Sequence, residues 1–148
     1  MSKKKRDIEL FIVDIFVAIQ KIKEYTNSFD NPNDLLHSSL HWDATIRQLE
    51  IIGEALNKLL EDEKFAIHSP KYFRRVVNFR NNIIHGYFGI DTDEVWNVIT
   101  IHLDSLQNDI KKIIKNNIDI QEAIESELEE YKKLNDIKIV KFLMNFTN

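Results

Sequence analysis

An all-α fold is what this sequence predicts, and three observations point to it. The chain holds only three Gly and two Pro among 148 residues, too few turn formers for a sandwich or barrel of strands. Its apolar residues recur at three- and four-residue intervals rather than alternating. Residues suited to helix caps stand just ahead of those periodic runs. The length and a 43% hydrophobic content suffice for a single domain over residues 1–148.

The first helix is expected over Asp7–Tyr25, where Ile8, Phe11, Ile12, Ile15, Ile19 and Ile22 keep helical spacing. Leu10, Val13, Phe16 and Val17 widen its apolar surface, so it is expected to be buried on more than one side. Asn27–Asn33, with Pro32, reads as a turn. A second, long helix follows over Asp34–Glu61, striped by Ile46, Leu49, Ile52, Leu56 and Leu59 or Leu60. Gly53 sits inside it, where Gly costs about 1 kcal/mol against Ala. Close approach of a neighbouring helix would account for it. Ser69-Pro70 reads as the start of a third helix ending near His85, with Gly86 as its stop. Asp91 opens a fourth helix, with Glu94 completing a capping box. Val95, Ile99, His102 or Leu103, Leu106, Ile110 and Ile113 point inward. A fifth helix runs from Asp119 to about Leu134, with six acids and no base between Asp119 and Glu130. The apolar tail Ile137–Phe146 has no assigned place and could pack on a second subunit. Residues 118–148 are therefore read as a C-terminal helical extension and residues 1–6 as a basic N-terminal tail.

Composition excludes several classes of function. With no Cys, disulfides, thiolate metal sites and Cys nucleophiles are absent, and a cytoplasmic location is expected. Lys3–Arg6 before the apolar run Leu10–Ile19 superficially resembles a leader peptide. Asp14 interrupts the run and no small-residue cleavage site follows, so the segment is read as a solvated terminus. The run is also too short to span a bilayer. His37 and His41 are four apart, but no third metal ligand accompanies them. His68 reads as an exposed loop residue, and no cofactor is called for.

The most informative stretch is Phe79–Phe88, in which Arg80, Asn81, His85 and Tyr87 fall within eight residues. Lys64–Ile90 contains no Asp or Glu but carries Lys64, Lys71, Arg74, Arg75 and Arg80, a local +5. The whole chain carries a formal −4. A basic segment ending in Arg, His and Tyr on an acidic chain suggests a phosphate-handling site. Arg presents a planar, permanently charged fork for phosphate oxygens. His exchanges a proton near neutral pH. Asn81, adjacent to His85 on one helical face, could orient the imidazole, and Lys71, Arg74 and Arg75 could track a phosphate backbone. Taken singly, each residue also has a plain structural role: His85 as a last-turn cap, Arg80 as an ion-pair member, Tyr87 as a core aromatic.

The extended pattern Arg80-Asn81-x-x-x-His85-Gly86-Tyr87, followed by Ile90-Asp91 and Glu94-Val95-Trp96, resembles the signature of the HEPN domain family, and within it the HepT-like toxin group. Asp43–Ala55, with its Ile-Ile-Gly-Glu-Ala end, and Ile22–Thr26 resemble that group too. Asn78-Phe79 departs from the Gly-Met common in relatives, and the region after Asn117 is longer than the group leads one to expect. The resemblance implies an antiparallel helical bundle that forms a two-fold homodimer and acts as a metal-independent RNase. It implies catalytic roles for Arg80 and His85, both copies lining one cleft. It further implies that Tyr87 accepts AMP from a partner nucleotidyltransferase antitoxin of the MntA type, which silences the toxin. Proton removal and proton donation during RNA cleavage call for two acid–base groups, and a two-fold axis supplies the second imidazole. The alternative reading is a non-catalytic adaptor that serves a nucleotidyltransferase.

Overall fold

The computed structural model describes residues 3–85 and 90–146, except for the side chains of residues 3, 4, 6 and 83–85. Those residues form helices joined by short turns: α1 (Lys3–Thr26), α2 (Pro32–Leu36), α3 (Ser39–Leu59), α4 (Glu63–Ile67), α5 (Phe73–His85), α6 (Thr92–Asn97), α7 (Leu103–Ile114), α8 (Gln121–Lys133) and α9 (Ile137–Phe146). A π-helical turn, Val98–His102, joins α6 to α7. There is no helix among the described residues long and apolar enough to cross a membrane.

α1 is the central element and takes in residues 3–6 of the basic N-terminal segment. Ile12, Val13, Ile15, Phe16, Val17, Ala18 and Ile19 are all buried, so the helix is enclosed around its girth, as its wide apolar surface predicts. It packs most extensively on α3, and α7, α8 and α9 complete its surroundings.

The expected Asp34–Glu61 helix is broken. Asn31 caps α2 by accepting from the Asp34 amide, Pro32 occupies the first turn, and the chain reorients at His37–Ser38 before α3 begins. The third helix starts three residues later than Pro70, because Pro70–Tyr72 form a turn and Ser69 Oγ instead donates to the Phe65 carbonyl at the end of α4. α4, capped by Asp62, has no periodic signature long enough to announce it. Asp91 caps α6 as expected, accepting from the amides of Asp93 and Glu94. The π turn then settles the inward position. Leu103 is buried and His102 is exposed, because the wider i→i+5 bonding shifts the following residues around the axis.

The C-terminal extension folds back on its own chain. Ile139 and Leu143 are buried, Phe146 stacks on Phe16 with ring centroids 4.8 Å apart, and Lys111 lies over the Phe146 ring. The tail thus finds its apolar partner in α1. The acidic helix α8 turns part of its surface inward, since Ala123 and Ile124 are buried and Glu127 is half-buried. Burial raises the pKa of Glu127, and the negative charges of Asp14 on α1 and Glu130 add to the rise, against Lys21. Burial likewise raises Asp14, with Lys21 opposing. The pairing of α1 with α8 therefore rests on apolar and aromatic contact and carries an electrostatic penalty.

A carboxylate raised in the folded state destabilises the fold when ionised. Glu127→Gln is expected to raise the urea midpoint at pH 7.5. The difference from the parent should shrink as pH falls through the raised pKa and vanish below the ordinary value of 4.5. Denaturation curves at pH 7.5, 5.5 and 4 check this.

Candidate functional site

The site begins with a helix crossing. α5 packs on α3, and Phe73 and Val77 on one stripe of α5 are both buried. Continuing at helical spacing, the next inward position is Arg80, a cation where the stripe calls for a hydrocarbon. Gly53 makes room for it. A Cβ on Gly53 would lie 2.2 Å from Arg80 Cβ and 2.6 Å from Cγ, so the two backbones can approach this closely only with Gly on α3. The close neighbour inferred from Gly53 in the sequence is thus the proposed catalytic arginine itself.

The guanidinium is held locally. Arg80 Nη1 donates to Asn81 Oδ1 at 2.9 Å, so Asn81 contacts the arginine. Arg80 Nε is shielded from solvent and finds no acceptor among the described residues. An Arg fork with an unused inward donor is suited to an anion that brings its own oxygens.

His85 is the last residue of α5 by its backbone; its side chain lies outside the description, as does all of Tyr87 with residues 86–89. The helix nonetheless fixes register. At about 100° per residue, Arg74, Asn78, Asn81 and His85 follow one edge of α5, Arg74 lying about 16 Å from His85 along the axis. Arg75 is turned away from that edge by about 100°. Lys71, in the turn before α5, is exposed together with Arg74 and Arg75, and none of the three forms an ion pair among the described residues.

Tyr72 anchors the other end of this basic face. Its hydroxyl donates to Asp109 on α7, and its ring meets Phe73 edge-on at 5.1 Å. Burial, reinforced by the Asp109 carboxylate, pushes the phenol pKa well up. Tyr72 therefore remains a neutral, occupied donor. The two histidines considered as metal ligands are engaged elsewhere: His37 Nδ1 lies 2.7 Å from the Asn33 carbonyl, and His41 Nδ1 is 2.7 Å from Ser38 Oγ. Among the described residues no cluster of three or more His, Asp or Glu is placed to hold a metal ion. Sequence reasoning missed a groove on the N-terminal half of α3, lined by Trp42, Asp43, Ile46, Arg47, Glu50 and Ile90. Trp42-Asp43 just ahead of the Ile46 stripe is the only signal that could have suggested it.

Replacing a helical Gly by Ala ordinarily stabilises by about 1 kcal/mol. Gly53→Ala is expected to reverse that sign and destabilise by about 1–3 kcal/mol, because the added methyl forces α3 and α5 apart. Urea denaturation of the two proteins checks it, and a gain in stability would show that α5 shifts freely.

Comparison with known proteins places the site in context. Residues 15–113 match the model of the family described as Ribonuclease HepT-like. A Methanocaldococcus jannaschii protein provisionally named as an RNase is 34% identical over 113 residues, covering 75% of this chain and 94% of its own length. A second protein of that organism, named in the same way, is 33% identical over 113 residues, covering 75% and 90%. A Thermococcus cleftensis protein named probable ribonuclease HepT is 32% identical over 111 residues, covering 75% and 99%. No solved structure gives a match. With the Arg–His motif region, α3 and the second half of α1 inside the matched span, the chain belongs to the ribonuclease HepT-like family.

Proposed function

We propose that this protein is a metal-independent endoribonuclease, the toxin component of a toxin–antitoxin pair, working as a two-fold homodimer in the cytoplasm. The observation that carries this reading is Arg80 on the inward stripe of α5, seated against Gly53 with Asn81 on its fork. Keeping a cation there opposes packing, and an anionic substrate gives it a use.

In this mechanism Arg80 of each copy grips the scissile phosphate and stabilises the charge that builds on it in the transition state. The imidazole of His85 removes the 2'-hydroxyl proton in one copy. In the other it donates a proton to the departing 5'-oxygen. The 2'-oxygen forms a bond to phosphorus as the bond from phosphorus to the 5'-oxygen breaks, leaving a cyclic phosphate and a free 5'-hydroxyl. Asn81 fixes the guanidinium, and Lys71 and Arg74 guide the RNA backbone, with a lesser contribution from Arg75, which is turned from that edge. A partner nucleotidyltransferase antitoxin silences the toxin by transferring AMP to Tyr87, which places negative charge and bulk beside the arginine. Tyr72 does not compete as acceptor, since its hydroxyl is committed to Asp109.

Wild-type protein should cleave single-stranded RNA in the presence of EDTA, and His85→Ala or Arg80→Ala should lower the rate by about 10²–10⁴-fold. Equal cleavage by both variants, or none by wild type, would sink the proposal. The register of α5 yields a second expectation. Arg74→Ala should weaken RNA binding and reduce the magnitude of the log–log salt slope by about 1. Arg75→Ala should do markedly less, as read by anisotropy of labelled RNA over a KCl series.

A further inference from the structure

The groove on α3 adjoins the motif. Gly53 on α3 faces Arg80 on α5. The chain re-emerges at Ile90, which lines the groove opposite Trp42, Ile46 and Glu50. The space measures about 300 Å³. One wall is the half-buried indole of Trp42, whose N–H donates to no group among the described residues. Ile46 closes the floor. Asp43, exposed, and Glu50, half-buried, offer carboxylate acceptors, and Arg47 pairs with Glu50 at 3.4 Å.

We infer that this groove is the nucleobase subsite of the RNase proposed above, on which reading it rests. It takes a base bearing an exocyclic amine in preference to uracil. The pieces correspond to what base recognition needs. An aromatic face accepts any base by stacking, while fixed acceptors select for amino hydrogens. Cytosine, adenine and guanine carry such an amine, whereas both exocyclic groups of uracil are carbonyls, which flank its one ring N–H donor and meet the Asp43 and Glu50 carboxylates unfavourably. Arg47 engages one Glu50 oxygen, Oε2, and the other Glu50 oxygen and the Asp43 carboxylate make no ion pair among the described residues. Trp42 binds the base, and Glu50 determines specificity. Glu50, which lines the groove, stands three residues from Gly53 on α3, so a base bound there would lie within about one helical turn of the crossing that seats Arg80.

The chain has two tryptophans, so the full-length double variant His85→Ala, Trp96→Phe leaves Trp42 as its one indole and removes cleavage. Titration with single-stranded oligo(A), oligo(C) and oligo(U) should quench its emission, with oligo(U) at least several-fold weaker. Adding Glu50→Gln should erase that difference. In the cleaving protein Trp42→Ala should lower kcat/KM about tenfold, with the loss mainly in KM. RNA that binds by anisotropy while Trp42 emission stays constant would overturn the subsite and leave the nuclease intact. So would equal quenching by all three oligomers, or a Trp42→Ala protein that cleaves as well as wild type. Emission that changes on dilution without RNA would assign the groove to contact between copies and overturn it too. If wild type neither cleaves nor binds RNA, the nuclease reading itself fails, and the subsite with it.

Discussion

The crossing of α3 and α5 at Gly53 governs what the rest of this molecule can do. Two helices meet there with no side chain on one of them, and the residue that fills the space is a cation. An apolar residue at position 80 would have served packing better, since Phe73 and Val77 already establish a hydrophobic stripe. Because Gly53 brings the α5 backbone so near, the Arg80 side chain must leave the crossing along one of few directions. Asn81 then restrains its tip at 2.9 Å. A long, flexible side chain is thereby reduced to a nearly fixed fork. That is the condition under which a guanidinium loses little entropy on meeting a phosphate.

The same crossing explains why part of the fold was legible in sequence and part was not. A glycine inside an otherwise strong helix pattern carries a penalty, and that penalty is what pointed to a close neighbour. The stripes of α1, α3 and α7 were legible because each spans several turns of uninterrupted 3.6-residue spacing. Where structure depends on a local choice between two bonded partners, the pattern falls silent. Asn31 binding the Asp34 amide starts α2 early, and the chain breaks at His37–Ser38 although its composition would support a continuous helix. Ser69 could cap a helix at Pro70 but turns back to the Phe65 carbonyl. A π turn cannot be read from a period of 3.6, so His102 and Leu103 were indistinguishable beforehand. The Arg80, Asn81 and His85 cluster stood out because cations and polar groups share a short stretch. The Trp42 groove did not, because its walls are ordinary surface residues until Ile90 is folded against them.

The C-terminal extension raises a different balance of forces. It lies beyond the matched span of residues 15–113, yet it is anchored on α1 by Phe146 on Phe16 and by buried Ile139 and Leu143. Those contacts overcome carboxylates that face each other. Glu127 opposes Asp14, and Glu9, buried on α1 and raised in pKa chiefly by that burial, is also opposed by Glu122 and Asp119. Lys21, over the Tyr131 ring at 4.8 Å, supplies the nearest relief. Acidity spread over α8 therefore serves no obvious stabilising purpose.

Net charge bears on how an acidic protein could hold RNA at all. At −4 overall, long-range attraction to a polyanion is weak or repulsive, and beyond about 8–10 Å salt screens it anyway. Capture must then depend on the local field of α5, where unpaired cations follow one helix toward a restrained arginine. A single chain contributes one such arginine and one imidazole, whereas cleavage through the 2'-hydroxyl uses a base and an acid at opposite ends of one phosphorus. In the proposed dimer, duplication about a two-fold axis would supply both and would double the local positive field at the same point. Charge that is insufficient on one chain would then become sufficient where two basic edges meet. On that proposal dimerisation turns a modest basic helix into a site, and the glycine that seats Arg80 fixes the direction in which each fork leaves its helix.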